Sequence, residues 1–346
     1  MELLLSGSKA FWDGENFPIS SNFLSIGTCI ICKKKNTSGI FREYAGQFFC
    51  KDCFIKSIEK KIYQTISKYE LLAPKDKIIV AFSGGKDSVA LLYNLKKIQE
   101  KTYGSKPLIA LSIDEGIKGY RKSSLEKAAK FCEKYDIKHE IISFEEKIGL
   151  SLDDIYKRIK GKKEQRYTCN YCAIFRRRLL NEGARKLGGD ILAVGHNLTD
   201  MVETYLMNIL YNRTYLITNQ FLFKERDKFI RKFYIKKIRP LMRIPEMEIL
   251  NYVRLKNLLF YPSHCPFREK DPIIRKRVLD FINKCKESSP EIEFNLFNNF
   301  LEVSKALYNY KQKEKKEYYT CQNCGYPTSK KKICQFCETL ENLKET

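Results

Sequence analysis

A short apolar run leads directly into Ser83-Gly84-Gly85-Lys86-Asp87-Ser88 and out into a helical pattern, which leaves few folds open to this chain. Lys77-Ile78-Ile79-Val80-Ala81-Phe82 reads as a strand buried on both faces. Val89 to Leu95 opens a helix that sets Leu91, Leu95 and Ile98 on one side. Between them, two glycines let backbone N–H groups close on a phosphate at the positive end of the helix. Lys86 adds a mobile cation, and Ser83 and Ser88 add hydroxyl donors. The spacing is not that of the Walker loop, which requires Gly-x4-Gly-Lys-Ser/Thr. The bland alternative is an ordinary strand–turn–helix corner with solvated polar residues.

The surrounding region repeats the alternation. Pro107–Asp114, Lys138–Phe144 and Asp190–Val194 read as strands, with helices over Ser123–Tyr135 and after Asn197. In the latter helix Val202, Leu206 and Ile209 mark the apolar face. Such alternation predicts an α/β fold, a parallel sheet with helices on both faces. Ligands of these sheets gather at the carboxyl ends of the strands. Ser83, Asp114, Gly195 and His196 all stand at such ends and should converge. Taken singly, Asp114 is equally a turn residue and His196 a simple hydrogen-bonding residue.

Ten of the thirteen cysteines fall in Cys-x-x-Cys pairs. No apolar run is long enough to span a membrane and no signal-peptide pattern opens the chain, so a cytoplasmic protein without a membrane partner is expected. Disulfides are unusual in that compartment, and metal binding is the better account. Cys29, Cys32, Cys50 and Cys53 have the x2-x17-x2 spacing of a four-thiolate zinc ribbon, and Cys321, Cys324, Cys334 and Cys337 the x2-x9-x2 spacing of a second. Cys169 and Cys172 stand just before a helix reaching about Leu187 and precede Arg176-Arg177-Arg178. A helix N-terminus and nearby arginines favour thiolate. No second pair follows. Cys265, in Ser263-His264-Cys265-Pro266-Phe267, also lacks a Cys-x-x-Cys partner and is a candidate third ligand; a zinc half-site or a disulfide are the other readings. Cys132 and Cys285 lie in helical patterns and read as packing residues.

Lys and Arg exceed Asp and Glu by 64 to 41, a formal charge of +23, which points to a polyanionic partner, nucleic acid first. Residues 212–239 interleave Phe221, Phe223, Phe229, Phe233 and Tyr234 with Lys224, Arg226, Lys228, Arg231, Lys232, Lys236, Lys237 and Arg239. That mixture suits phosphate contacts with base stacking, and equally a basic hairpin whose aromatics pack inward. Helices are expected near 245–256, 273–286 and 292–311. The expected division is an N-terminal zinc ribbon over 1–56, a catalytic domain over 57–240, a helical part over 241–316 and a C-terminal zinc ribbon over 317–346.

Ser83-Gly84-Gly85-Lys86-Asp87-Ser88 resembles the PP-loop of ATP pyrophosphatases, which cleave ATP between the α and β phosphates and leave AMP on a carbonyl oxygen. In order, the chain shows a cysteine doublet, this loop, Asp114-Glu115-Gly116-Ile117-Lys118-Gly119-Tyr120-Arg121, Cys169-x-x-Cys172 with arginines, Gly195-His196-Asn197, a lone Cys265-Pro266 and a second doublet. This order resembles the PP-loop tRNA 2-thiouridine synthetases of the archaeal and eukaryotic cytosolic type, whose thermophile branch acts on the T-loop.

The resemblance implies that ATP contacts Ala81, Ser83, Gly84, Gly85, Lys86, Asp87, Ser88, Ile113, Asp114, Gly195 and His196, with Mg²⁺ on the pyrophosphate. It implies that Lys86 and Arg176 stabilise developing charge and that Asp200 is a general acid/base or metal-binding group. It implies a [4Fe–4S] cluster on Cys169, Cys172 and Cys265, with persulfide or disulfide chemistry on the same cysteines as the rival mechanism. Two Zn²⁺ ions in the ribbons, tRNA as substrate, a ubiquitin-like or persulfide sulfur carrier and a homodimer complete the expectation. Wobble U34 is the expected target and U54 of the T-loop the alternative. Enzymes making 2-thiocytidine or lysidine, and a non-catalytic tRNA-binding protein, are the competing readings. Two departures stand out: Thr199 replaces the first of two adjacent aspartates, and Ala173 replaces a glycine after Cys172.

Overall fold

Three antiparallel strands, β1 (Ser25–Gly27), β2 (Thr37–Arg42) and β3 (Gln47–Cys50), open the described part of the chain. The structure is a computed structural model that describes residues 24–161, 167–220, 228–267, 274–311, 318–329 and 332–344. Its contacts separate two units, Met1–Phe54 and Ile55–Thr346. In the first, a turn after β1 holds Cys29 and Cys32, while Cys50 ends β3 and Cys53 lies in the first turn of α1 (Lys51–Lys68). The buried Arg42 guanidinium lies over the rings of Phe49 and Phe54, at 4.4 and 5.1 Å from their centroids. Beside Ile40 these rings form a core too small to stand without a metal.

The second unit is α/β, as the alternation predicts. Its elements are β4 (Ile78–Ala81), α2 (Lys86–Glu100), β5 (Ile109–Asp114), α3 (Arg121–Lys134), β6 (Lys138–Ser143), α4 (Phe144–Ile148), α5 (Leu152–Ile159), α6 (Thr168–Lys186), β7 (Ile191–Ala193), α7 (Leu198–Leu210), α8 (Thr214–Asn219), α9 (Lys228–Arg231) and β8 (Lys236–Ile238). The five strands pair in parallel in the order β6-β5-β4-β7-β8. Chain direction across the sheet reverses between β4 and β7, so the loops leaving these two strands frame the crevice where such sheets bind ligands.

Where the sequence suits a phosphate-contacting segment and a basic hairpin equally, the described part of 212–239 forms α8, α9 and the strand β8. It is an edge strand of three residues, Lys236-Lys237-Ile238, in which only Ile238 is buried, so no apolar run betrays it. Phe221, Phe223, Lys224 and Arg226 lie outside the described residues, as do Arg166, residues 1–23 and residue 317. The cysteine pair also differs from expectation: Cys169 and Cys172 stand inside the first turns of α6, whose N-cap is Tyr167. The buried stripe of α7 runs through Leu198, Met201, Val202, Tyr205 and Asn208, which leaves Ile209 at its edge and exposed.

The helices α10 (Glu246–Leu255), α11 (Ile274–Ser288) and α12 (Ile292–Lys311) follow. Phe297 and Phe300 of α12 and Ile282 of α11 share a core with Val202 and Tyr205 of α7. Last come β9 (Tyr319–Thr320), its antiparallel partner β10 (Pro327–Thr328) and α13 (Gln335–Lys344). α13 docks on α6: Phe336 meets Phe175 edge-on at 5.4 Å, and Arg158 donates to the Leu343 carbonyl at 2.6 Å. Arg178, two residues beyond Arg176, lies over the ring of Tyr326 and so faces this terminal module.

Candidate active site

The turn after β4 is tied by its own hydroxyls. The Ser88 hydroxyl donates to the Gly85 carbonyl at 2.9 Å and stands 3.1 Å from that of Ser83, and the Ser83 amide donates to Ser88 Oγ at 3.2 Å. Gly85 caps α2 in extended conformation, so the first-turn amides of the helix point outward without an intrahelical acceptor. Gly84 has φ +81°, and a Cβ there would stand 2.6 Å from the Ser124 carbonyl oxygen. From β7, Gly195 approaches the start of α2 so closely that a Cβ would meet Asp87 and Ser88 backbone atoms at 3.2 Å. The β4 and β7 exits therefore touch at the reversal point. Lys86 Nζ is held by Asp87 at 2.8 Å and by Glu246, on α10, at 2.6 Å. Burial works against its charge, but the two carboxylates outweigh it and raise its pKa. Asn197 Nδ2 donates to the other Asp87 oxygen at 3.0 Å.

Ala81 and Ile113 are neighbours in this sheet edge, since β4 and β5 pair at Ala81–Leu111. Arg121, almost fully buried, joins them: Nε donates to the Ile113 carbonyl at 2.7 Å and Nη1 to the Ser83 carbonyl at 3.1 Å. Asp114 folds back to accept from the Gly116 amide at 2.9 Å, a turn-forming bond. The buried Glu115 pairs with Arg121 at 2.8 Å and with Arg176 at 3.7 Å.

Cys169, Cys172 and Cys265 pack against one apolar cluster that includes Ile113, Phe175, Phe267 and Leu343. The segment carrying Cys265 is pinned to the loop: the Tyr261 amide donates to the Gly84 carbonyl at 2.7 Å, and the Tyr261 ring stands edge-on to Tyr120 at 5.6 Å. Burial pushes the Cys172 thiol up to about 12; Arg176, one turn along α6, and Arg121 pull the other way, while Glu115 and Cys265 reinforce the rise. No cysteine is in a disulfide. The three sulfurs are also not drawn to within 4.8 Å of one another, as the four of each terminal set are. The donor set is three thiols among arginines, which fits an anionic centre broader than a single zinc ion.

His196 and Arg176 are exposed to solvent. Enclosure and the charges of Arg239, Arg176, Arg275 and Arg177 hold the His196 imidazole down at about 3. Asp200 shares a capping box with Asn197 at the start of α7. Burial, together with the neighbouring carboxylates of Asp87 and Glu246, raises it to about 6 against the opposing Asn197 amide and Arg275.

The profile of the PP-loop domain matches residues 55–280. A protein of Methanocaldococcus jannaschii named "Probable sulfurtransferase" is 32% identical over 330 residues, 94% of this chain and 91% of that one. The "Cytoplasmic tRNA 2-thiolation protein 1" of Drosophila sechellia is 34% identical over 321 residues, 91% of this chain and 88% of its own. The chain belongs to the PP-loop tRNA 2-thiolation family. The fold agrees: the U34-tRNA thiolase NcsA of Methanococcus maripaludis, solved with its [4Fe–4S] cluster, superposes with a TM-score of 0.73 at 27% identity, over 92% of this chain and 97% of that one.

In this member of the family the terminal cysteine sets fit zinc on geometry. A Zn–S bond of about 2.3 Å gives a tetrahedral S–S edge of about 3.8 Å; Cys32 and Cys50 sulfurs are 3.7 Å apart, and those of Cys324 and Cys334 3.6 Å. Within the first set, burial opposes charge on Cys29, but backbone amides of Cys32, Cys50 and Ile31 bring it down to about 6. Burial and adjacent sulfurs push Cys53 up to about 12. Four such thiols ionise together only around a cation. Among the described residues no helix is long and apolar enough to cross a membrane.

Glu115, Arg121, Asn197, Glu246, Tyr261 and Arg275 join the site without having been singled out from sequence. Glu115, Arg121 and Asn197 stood inside the motifs given above; Glu246 and Tyr261 carried no local signal. Arg275 stands 3.7 Å from Asp200 and 3.4 Å from Glu203.

The Asp200 environment has a measurable cost. An ordinary carboxyl titrates near 3.9, so between about pH 4 and 6 the unfolded chain loses a proton that the folded protein keeps. Stability therefore falls with rising pH across that window and stays lowered above it. Asp200→Asn, which keeps an acceptor for the Asn197 amide, is expected to raise the nucleotide-free melting temperature near pH 7.5 by about 1–3 °C. That corresponds to roughly 1–2 kcal/mol after discounting for the side chain's partial solvent contact. The gain should vanish near pH 4. Equal melting curves at both pH values would contradict the buried-carboxylate account.

Proposed function

We propose that this protein is an ATP-dependent tRNA uridine 2-thiolase acting in the cytoplasm on U34. The observation that supports this most is the union of two half-sites. The loop of Ser83–Ser88 and the cysteines 169, 172 and 265 belong to one sheet edge, joined by Arg121, Glu115 and Arg176. The preference for U34 rests on the U34-tRNA thiolase among the similar structures.

In the first step the ATP phosphates lie on the loop and the first-turn amides of α2. Ala81, Ile113, Asp114, Gly195 and His196 line the nucleotide at the strand ends. The uridine O2 bonds to the α phosphorus as the bond to the bridging oxygen breaks, and pyrophosphate leaves with the electron pair. Lys86 moves from Asp87 and Glu246 to the departing phosphates and offsets their charge. Asp87 is the loop carboxylate available to hold Mg²⁺ on the pyrophosphate. Asp200, with its raised pKa, takes the proton that uridine N3 gives up.

In the second step sulfide bonds to C2, the C2–O bond breaks, and AMP leaves. Cys169, Cys172 and Cys265 would hold a [4Fe–4S] cluster, which supplies an iron without a protein ligand as a binding point for sulfide. Arg176 balances negative charge beside these thiolates. The two terminal four-cysteine sets hold zinc and brace the termini in the division 1–56, 57–240, 241–316 and 317–346. The test is formation of a thionucleotide in tRNA that requires both ATP and a sulfur source.

A further inference from the structure

Glu115 is a buried carboxylate with two basic neighbours and a divided allegiance. Oε2 lies 2.8 Å from Arg121 Nε, and Oε1 lies 3.7 Å from Arg176 Nη1. Arg121 belongs to the activation half of the site, since its Nη1 bonds the Ser83 carbonyl at the start of the ATP loop and its Nε bonds the Ile113 carbonyl at the end of β5. Arg176 belongs to the sulfur half, because α6 brings it one turn beyond Cys172 and its charge acts on Cys172, Cys265 and Cys169. The Glu115 backbone is itself fixed, its carbonyl accepting from the Leu152 amide at 2.7 Å.

Arg121 is held by carbonyls of Ser83 and Ile113 and by the Ser124 hydroxyl at 3.0 Å, all from rigid neighbours. Arg176 is different. Its side chain is half exposed, and the ion pair described for it is the one to Glu115. A long side chain at a cleft mouth has many rotamers, and one fixed carboxylate of opposite charge reduces them.

We propose that Glu115 is a positioning residue that aims Arg176 at the cysteine site and locks that aim to the ATP loop through Arg121. The proposal rests on the thiolation reading and deepens it. The two chemical steps then share one buried ion network, and loss of the Glu115 reach damages the second step selectively.

The decisive variant is Glu115→Asp. It keeps a negative charge in the network and draws the carboxylate back from both arginines by one methylene; Arg121 retains its bonds to the Ser83 and Ile113 carbonyls and the Ser124 hydroxyl, whereas Arg176 loses the ion pair described for it. Thionucleotide formation at saturating ATP and tRNA should fall about tenfold or more in kcat. Pyrophosphate release by cluster-free protein on tRNA, and the KM for ATP, should stay within about twofold of wild type. Arg176→Lys, which cannot reproduce the guanidinium geometry, should lose thionucleotide formation to a similar degree. The Glu115→Asp/Arg176→Lys double variant should be little worse than either single one, because residues acting as a unit are non-additive.

Glu115→Gln adds a second arm: it leaves Arg121 unpaired, so its thermal unfolding reads the structural share of the role. Unimpaired thiolation by Glu115→Asp, or losses that multiply in the double variant, would overturn the proposal while leaving the thiolase reading intact. A wild-type protein that releases pyrophosphate but makes no thionucleotide would overturn the thiolase reading and the proposal with it.

Discussion

Cys265→Ser is expected to cut thionucleotide formation by about a thousandfold or more while tRNA-dependent pyrophosphate release continues. Cys265 comes from a loop far along the chain, yet the Tyr261–Gly84 bond and the Tyr261–Tyr120 contact bring it against the α6 pair. A hydroxyl is a poor ligand for iron and a poor sulfur carrier, so the second step loses a thiolate with nothing to replace it. In the proposed mechanism the first step uses the loop, Lys86 and Asp200, none of which the substitution alters. Anaerobically purified wild-type protein should contain about four irons in one cluster, and the variant should lose that iron. A variant that thiolates at the wild-type rate would remove Cys265 from the site; one that loses pyrophosphate release equally would show that the two half-sites cannot be separated.

Gly84→Ala should have an effect of similar size by a different route. At φ +81° a Cβ is strained in itself, and here it would lie 2.6 Å from a backbone oxygen of α3, which has no soft way to yield. The loop must shift, and a displacement on the order of 1 Å at a reacting centre costs about a hundredfold. Both pyrophosphate release and thiolation should fall together by about that factor, with ATP affinity weakened. Gly85→Ala has negative φ, and its Cβ meets only the Ser83 hydroxyl at 3.5 Å. Its loss should be smaller, and the ratio between the two variants reports the strain directly. Equal activities would mean that Gly84 is not held in this conformation when ATP binds.

The contrast between these variants follows how the chain encodes its site. The loop is legible in sequence because strand, glycine pair and helix are contiguous, and contiguous signals survive translation into structure. The terminal cysteine sets are legible for the same reason: knuckle spacing is a local property that sulfur geometry then fulfils. Asp87, Lys86 and Asp200 were also recognisable, but the cage around them was not. Lys86 meets Glu246 across 160 residues of chain, and nothing in Pro245-Glu246 distinguishes that glutamate from an ordinary helix-start acid. Glu115 was visible as a motif letter, though its division between Arg121 and Arg176 depends on how β5 and α6 pack. β8 was hidden because two of its three residues are lysines on a sheet edge, where pairing with β7 decides the conformation and intrinsic preference does not.

His196 and Asp200 are both shifted toward their uncharged forms. Desolvation and the charges of Arg239, Arg176, Arg275 and Arg177 lower the His196 imidazole. Asp200 is held near neutrality by burial and by its closeness to Asp87 and Glu246, which together outweigh Arg275. Both shifts favour the uncharged form, as desolvation does for an acid and a base alike.

The most direct measurement is nucleoside mass spectrometry of U34-containing tRNA incubated anaerobically with the protein, ATP and sulfide. The account predicts a uridine at position 34 with sulfur in place of its C2 oxygen, formed only when ATP is present and accompanied by equal amounts of AMP and pyrophosphate. Unmodified uridine at that position, with ATP consumed to AMP or not, would contradict it.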